Sequence, residues 1–191
     1  FTRLLTQGML LNHIFFRRNA NSAVDYIPPE EVNVTPDAQG HISGGVHKTD
    51  GLPVEYGGVG KMGKSERNGV DPQTLVDRFG ADTARLYVMF AGSPEDSAVW
   101  SDTGVEGGSR FLKRLWTFGQ AHADLIKAAD GLVDHREASD AVKAARRELH
   151  LALRQANYDY ERIQYNTVVS AAMKMLNTLE ALPANEAGTA A

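Results

Sequence analysis

The sequence predicts a strand-bearing first third that gives way to α-helices. Three observations predict it. Short β-like pieces separated by turn signals fill residues 17–60. A glycine-rich loop with two lysines follows at 57–72. Apolar residues then recur at helical spacing through much of the remaining chain.

Taken in order, residues 1–16 are apolar, and Leu10 to Phe16 fits either a buried strand or the end of a helix. Residues 17–60 turn rich in Gly, Pro, Asn and Asp. Their β-like pieces include "EEVNV", "HISGGV" and "PVEY", with turn signals at "PDAQG" and "KTDG". Asp71 is expected to cap a helix that has Pro72 in its first turn. Leu75, Val76 and Phe79 share one face, and Gly80 is expected to close that helix in the left-handed conformation. The next helix, "ADTARLYVMFAG", has dense apolar positions (Ala84, Leu86, Tyr87, Met89 and Phe90) and is expected to be well buried. "SPEDSAVWSD" reads as a loop. "GVEGGSRFLKRLWTFGQAHADLIKAA" reads as one long amphipathic helix with Phe111, Leu112, Leu115, Trp116 and Phe118 apolar. Two more helices are expected at about Asp140–Tyr160 and Asn166–Leu182. In the second of these, Val169, Ala172, Met173, Leu176 and Leu179 lie at helical spacing. Three long helices with short links suggest a bundle. The tail "PANEAGTAA" has little to bury and is expected to fray.

Composition narrows the function classes. The chain has 191 residues and is 42% hydrophobic, enough for one domain or two small ones with a real core. Net charge is −4, so any polynucleotide contact must come from a local patch. There is no cysteine, which excludes disulfides and thiolate zinc sites and suits a reducing compartment. The six histidines lack ligand spacing, and no metal site is expected. No run of about 18 apolar residues implies a membrane span, and the first residues lack the pattern of a secretion signal. A chain that starts with Phe reads as an excerpt of something longer.

The stretch "GGVGKMGKSERNGVDP" has two incompatible readings. From Gly58 it spells the G-x-x-x-x-G-K-S of a nucleotide-binding P-loop. From Lys61 it spells K-M-G-K-S, a mobile lysine-bearing loop. A P-loop needs a buried apolar strand before its first glycine and a helix starting at its Lys-Ser, so that the helix N-terminus faces phosphate. Upstream, "KTDGLPVEYGG" offers no apolar strand of useful length. Downstream, Asn68-Gly69 is a turn pair and Pro72 disfavours helix in the residue before it. The P-loop context therefore fails on both sides. A surface loop without a ligand stays open on composition alone.

The residues after the loop resemble a known family. "KMGKSERNGVDPQTLVDRFGADTARLYVMF" is similar to the K-M-S-K-S loop and following helix of class I aminoacyl-tRNA synthetases. "LLTQGMLL", "VMFAGSPEDSAVWSDTGVEGGSRFLKRLW" and "RIQYNTVVSAAMKMLNTL" narrow the resemblance to the leucyl-tRNA synthetases of bacteria. The fold class this implies is α/β to α: the end of a Rossmann-type class I catalytic domain with a small β-rich insert, followed by a partial α-helical bundle. The expected segments are 1–16, the end of the catalytic domain; 17–60, the insert; 61–100, the signature loop and stem-contact helices; and 101–191, part of an anticodon-binding bundle.

Two departures from the family pattern stand out. Gly63 occupies a position where the family usually has Ser, which removes a hydroxyl and adds backbone freedom. The family's H-I-G-H signature occurs nowhere in the chain, and its editing domain is missing. What the resemblance implies is ATP-dependent activation of leucine to leucyl-adenylate, then transfer to tRNA(Leu). Lys64 is the expected stabiliser of the departing pyrophosphate, with Lys61 supporting it. Met62, Gly63 and Ser65 complete the ATP-binding loop: Met62 is expected to pack it, and Ser65 to bind phosphate or only cap a turn. The Gly57-Gly58 and Asn68-Gly69 pairs read as hinges. Mg²⁺ is expected with ATP, but no ligand set for it is visible.

Arg110, Lys113, Arg114, Arg147 and Arg162 are the expected tRNA contacts, each able to neutralise a backbone phosphate. A solvated helix face is the alternative for each. Trp100 and Trp116 are expected to pack in a core or between domains, and Arg85 to pair with a carboxylate inside the fold. The protein is expected to be cytoplasmic and monomeric, and the isolated chain inactive. A tRNA-binding module without chemistry, or a valine, isoleucine or methionine ligase sharing the loop, remain as alternatives.

Overall fold

The computed structural model describes Leu4 and residues 8–128 and 138–183. Most of the "DGLVDHREAS" connection and nearly all of the tail lie outside the described residues. Strands come first and helices after, the order expected. The described chain divides into two compact units, one of residues 1–80 and 95–102, the other of 81–94 and 103–191.

The first unit is built on a six-stranded sheet. Its strands are β1 (Leu10–Arg18), β2 (Val24–Ile27), β3 (Val32–Pro36), β4 (Ile42–His47), β5 (Pro53–Lys61) and β6 (Ala98–Val99). The order is β2-β1-β5-β4-β3, with β6 on β1. All pairings are antiparallel except that of β6 with β1. The run from Leu10 is thus a strand and not a helix end. It crosses from the first expected segment into the second, and one sheet holds residues of both.

Phe15, Ile27, Val32 and Val54 form the sheet's core, with Ile42 and Tyr56 packed against it. Phe15 is 1% exposed. Burying an aromatic ring this fully is worth about 2–3 kcal/mol. At the sheet's far corner Arg17 donates two hydrogen bonds to the Asp50 carboxylate, at 2.7 and 2.8 Å. This fixes the β4–β5 turn and holds the Asp50 carboxyl below the usual carboxylate range, helped by the Leu52 N–H.

The strand before Gly58 is longer than the β-like piece "PVEY" expected, and it is largely exposed rather than the buried apolar strand a P-loop needs. β5 runs from Pro53 through the glycines to Lys61. It forms despite its few apolar residues because its glycines let β1 come close. A Cβ at Gly57 would lie 3.2 Å from both Ile14 and Phe16. The side chains of the neighbouring strand supply the apolar contact that β5 lacks.

Asp71 caps α1 (Pro72–Phe79) as expected, its carboxylate accepting from the Gln73 and Thr74 N–H groups and from the Thr74 hydroxyl. Gly80 ends α1 at φ 86°, ψ 154°. That is not the left-handed helical conformation expected, but an extended region of positive φ that is open essentially to glycine alone.

The second unit contains α2 (Ala81–Phe90), α3 (Asp102–Ala121), α4 (Ala123–Ala128), α5 (Asp140–Glu161) and α6 (Tyr165–Glu180); Asp102, at the start of α3, clusters with the sheet. The single helix expected after Gly104 is two, α3 and α4, parted at His122. Helices α5 and α6 pack as a hairpin, and Val169, Ala171 and Leu176 of α6 are buried.

Two expectations of burial are corrected. In α2 only Thr83 and Tyr87 are buried, and Val88 and Met89 are exposed. In α3 Phe111 is buried but Trp116 is 70% exposed: it shares a face with buried Val105 and Ser109, but burial ends at Phe111 and no described residue buries the last turns of the helix. Trp100 is half-buried; its indole N–H donates to Asp102 at 2.9 Å, and its backbone N–H extends the β6 pairing to Leu11.

Candidate functional site

The loop Lys61–Asn68 leaves the end of β5 and returns to the same place. Residues 64–67 form a turn, not a helix, so no helix N-terminus faces a ligand here. Lys61, Lys64 and Ser65 are exposed; Met62 and Gly63 are half-buried. Neither lysine makes an ion pair or side-chain hydrogen bond with another described residue, so both ammonium groups are available. The arrangement is a short closed loop that presents two cations and a hydroxyl to solvent.

What shapes the loop is a residue that sequence reading placed at a hinge. Asn68 is fully buried, 0% exposed. Its Oδ1 accepts from the Gly63 N–H at 2.9 Å. Its Nδ2 donates to the Lys61 carbonyl at 3.3 Å and to the Asn12 carbonyl at 3.4 Å. In return Asn12, 4% exposed, donates from Nδ2 to the Asn68 carbonyl at 2.9 Å. The Asn12 Oδ1 is taken up by the His13 N–H at 2.8 Å. One carboxamide therefore ties both limbs of the loop together and to strand β1. The Asn68-Gly69 hinge expectation is corrected: Asn68 is an anchor, since a buried polar group with this many partners is costly to release.

A second tether comes from Arg67, which sits at φ 51° and donates to the Tyr26 carbonyl of β2 at 3.0 Å. A positive φ at a non-glycine residue costs on the order of 1–2 kcal/mol, so surrounding bonds must hold it. Sequence reading missed both tethers. The available signal was Asn12, a polar residue inside the apolar run "LLNHIFF", which must find a partner if the run is buried.

Gly63 does not use the backbone freedom that glycine offers, since its φ lies outside the positive region. Its space is already claimed: a Cβ there would fall on the Glu66 carboxylate oxygen. That oxygen ends a flexible side chain and can move aside.

The expected tRNA contacts lie on two helices, α3 and α5, and at the C-terminal cap of α5, and they differ in how free they are. Arg110 and Lys113 are exposed on α3, and Arg147 on α5. Arg114 is already bonded within the helical unit. It donates to the Asn177 Oδ1 at 2.7 Å and pairs with the Glu180 carboxylate, which keeps its guanidinium firmly charged. Arg162 lies over the Tyr158 ring at 5.3 Å and donates to its hydroxyl. Arg85 does pair with a carboxylate, Asp82 at 2.9 Å, but on the surface and not inside the fold. Among the described residues no group of three or more His, Asp or Glu is placed to hold a metal. Also among them, no helix is long and apolar enough to cross a membrane.

No protein-family model matches the chain. Comparison with curated proteins is more informative. The chain is 58% identical over 180 residues to the leucine–tRNA ligase of Ralstonia nicotianae, covering 94% of this chain and 20% of that protein. It is 56% identical over 192 residues to that of Variovorax paradoxus, covering 100% of this chain and 22% of the relative. The leucine–tRNA ligase of Bordetella pertussis is 53% identical over 189 residues, again with 21% of its length covered. Among solved structures, the agnB2 LeuRS of Agrobacterium radiobacter K84, in a ternary complex with tRNA and LeuAMS, superposes with a TM-score of 0.59 at 25% identity. That match covers 68% of this chain and 17% of the other. The chain thus spans about a fifth of the length of the relatives it matches, and over that segment it belongs to the leucine–tRNA ligase family.

Proposed function

We propose that this chain is the segment of a leucine–tRNA ligase that carries its ATP-phosphate loop and part of its tRNA-binding surface. Identity of 53–58% to leucine–tRNA ligases over nearly the whole chain carries the reading. The lysines of the Lys61–Asn68 loop, exposed and bonded through their side chains to no other described residue, support it.

In the first step the leucine carboxylate oxygen bonds to the α-phosphorus of ATP while the bond to pyrophosphate breaks. Negative charge builds on the departing β- and γ-phosphates. An ammonium placed beside them stabilises that state more than the ground state, which is what lowers a barrier. Lys64 takes this role and Lys61 supports it. Ser65, exposed next to Lys64, is a hydrogen-bond donor for a phosphate oxygen, and half-buried Met62 packs the loop. In the second step a hydroxyl of the terminal tRNA ribose attacks the leucyl carbonyl and AMP leaves.

Arg110, Lys113 and Arg147 are the cations best placed to neutralise tRNA phosphates, because no described residue occupies them. Arg114 and Arg162 contribute only if tRNA competes with their present partners. The full-length enzyme is proposed to be a cytoplasmic monomer that binds leucine, ATP and tRNA(Leu), and the isolated chain to lack activity.

The test is ATP–pyrophosphate exchange with leucine in the full-length enzyme. Lys64→Ala is expected to lower kcat by about 10²–10³-fold, the usual loss for one stabiliser of developing charge. Unchanged exchange would remove Lys64 from the site. Exchange by the isolated chain would overturn the fragment reading.

A further inference from the structure

We infer that Asn68, held by Asn12, is a positioning residue for leucine activation: it sets the shape of the lysine loop before ATP arrives. The inference rests on the ATP-loop reading above and deepens it.

Asn68 touches no substrate in this reading, and its effect runs through backbone. Its carboxamide bridges the Lys61 carbonyl and the Gly63 N–H, which lie on either side of Met62. The backbone from which the Lys61 side chain springs is therefore fixed, and so is the residue just before Lys64. The return bond from Asn12 Nδ2 to the Asn68 carbonyl pins the other limb to β1, 56 residues away in sequence. Arg67 is held by the Tyr26 carbonyl of β2. Among the described residues no side-chain hydrogen bond ties Lys64–Glu66 to the strands, so a closing motion over the triphosphate falls on the turn that carries Lys64. A loop tied this way loses little further freedom on binding ATP.

A buried Asn with several bonds could instead serve stability alone. The two roles differ in which half-reaction they touch. A positioning role acts only while the triphosphate is present, so it affects activation and not the transfer of a leucyl group already on AMP. A stability role scales both half-reactions together through the fraction of folded enzyme.

The experiment uses the full-length enzyme with Asn68→Ala, Asn12→Ala and Lys64→Ala. Pyrophosphate exchange is measured against single-turnover transfer from preformed leucyl-adenylate to tRNA. Asn68→Ala is expected to lower kcat/KM for ATP about 100-fold, the scale of a misplacement of about 1 Å, with transfer unchanged. Asn12→Ala removes the return bond and leaves the carboxamide of Asn68 in place, so a loss of about tenfold in the same direction is expected. Exchange and transfer falling in parallel would overturn the inference, as would wild-type exchange in both Asn variants. If Asn68→Ala fails to fold, Asn12→Ala decides by the same two assays. Lys64→Ala separates the two readings. Lost exchange there, with exchange intact in the Asn variants, sinks the anchor alone; intact exchange in Lys64→Ala sinks the ATP-loop reading itself.

Discussion

The two cationic regions of this chain are organised in opposite ways. In the Lys61–Asn68 loop the backbone is bound, by Asn68 and by the Arg67 guanidinium, while the two lysine ammonium groups bond to no other described residue. On the helices the backbone is satisfied by the helix itself, and some charged side chains are bound to neighbours: Arg114 to Asn177 and Glu180, Arg162 to Tyr158. A site that must stabilise brief charge development at one point benefits from a fixed support and unspent cations. A surface that grips a long polyanion does not need that precision, and can spend part of its charge on holding helices together.

Four tests break or sharpen this contrast. The largest effect is expected from Lys64→Ala, which should cut pyrophosphate exchange about 10²–10³-fold while leaving tRNA affinity alone. Next come Asn68→Ala, whose loss should reach about 100-fold, and Asn12→Ala, at about tenfold, without any charge being removed. A smaller effect is expected on the helices. Arg110→Ala with Lys113→Ala should weaken tRNA binding and reduce the slope of log affinity against log salt by about 1 for each phosphate left without its cation. Arg114→Ala should change that slope less, because its charge is already committed. Equal slopes for the two variants would erase the distinction drawn here.

The smallest effect concerns Asp71, at the foot of the loop. Its carboxyl is held below its ordinary range by the Thr74 hydroxyl first, then by the Thr74 and Gln73 N–H groups. A carboxylate depressed in the folded state adds stability above its unfolded value, about 3.9, and that stability is lost as pH falls through the folded value. Asp71→Ala should therefore lower the melting temperature near neutral pH by about 2–4 °C, with the difference from wild type shrinking in acid. Pyrophosphate exchange should be unaffected. A difference that stays constant as the pH is lowered through the acid range would show that the cap contributes through something other than its charge.

Local chemistry made much of this legible in advance. Asp71-Pro72 announced a helix start, and Asn68-Gly69 with Pro72 excluded a helix at Lys64, because both depend on neighbours in the chain. The lysines, serine and methionine of the loop were named from the resemblance of K-M-G-K-S to a family signature, and their role stays a proposal. What could not be read were bonds between distant residues. Asn68 spells a turn in its own neighbourhood, and only the pairing of β1 with β5 brings Asn12 to it. Arg114 likewise meets Glu180 across a gap of 66 residues. The exposure of Trp116 was hidden for another reason. Helical spacing says which residues share a face, but not whether anything covers that face.

The crowding of Gly63 by Glu66 has an evolutionary consequence. A serine introduced at 63 must first push the Glu66 carboxylate aside, so changes at the two positions will not be independent. Which one is made first decides whether the intermediate is crowded or relaxed. Because the Glu66 carboxylate ends a flexible side chain, the adjustment is a rotation of Glu66 rather than a shift of backbone, and a serine at 63 leaves the anchoring of the loop by Asn68 in place.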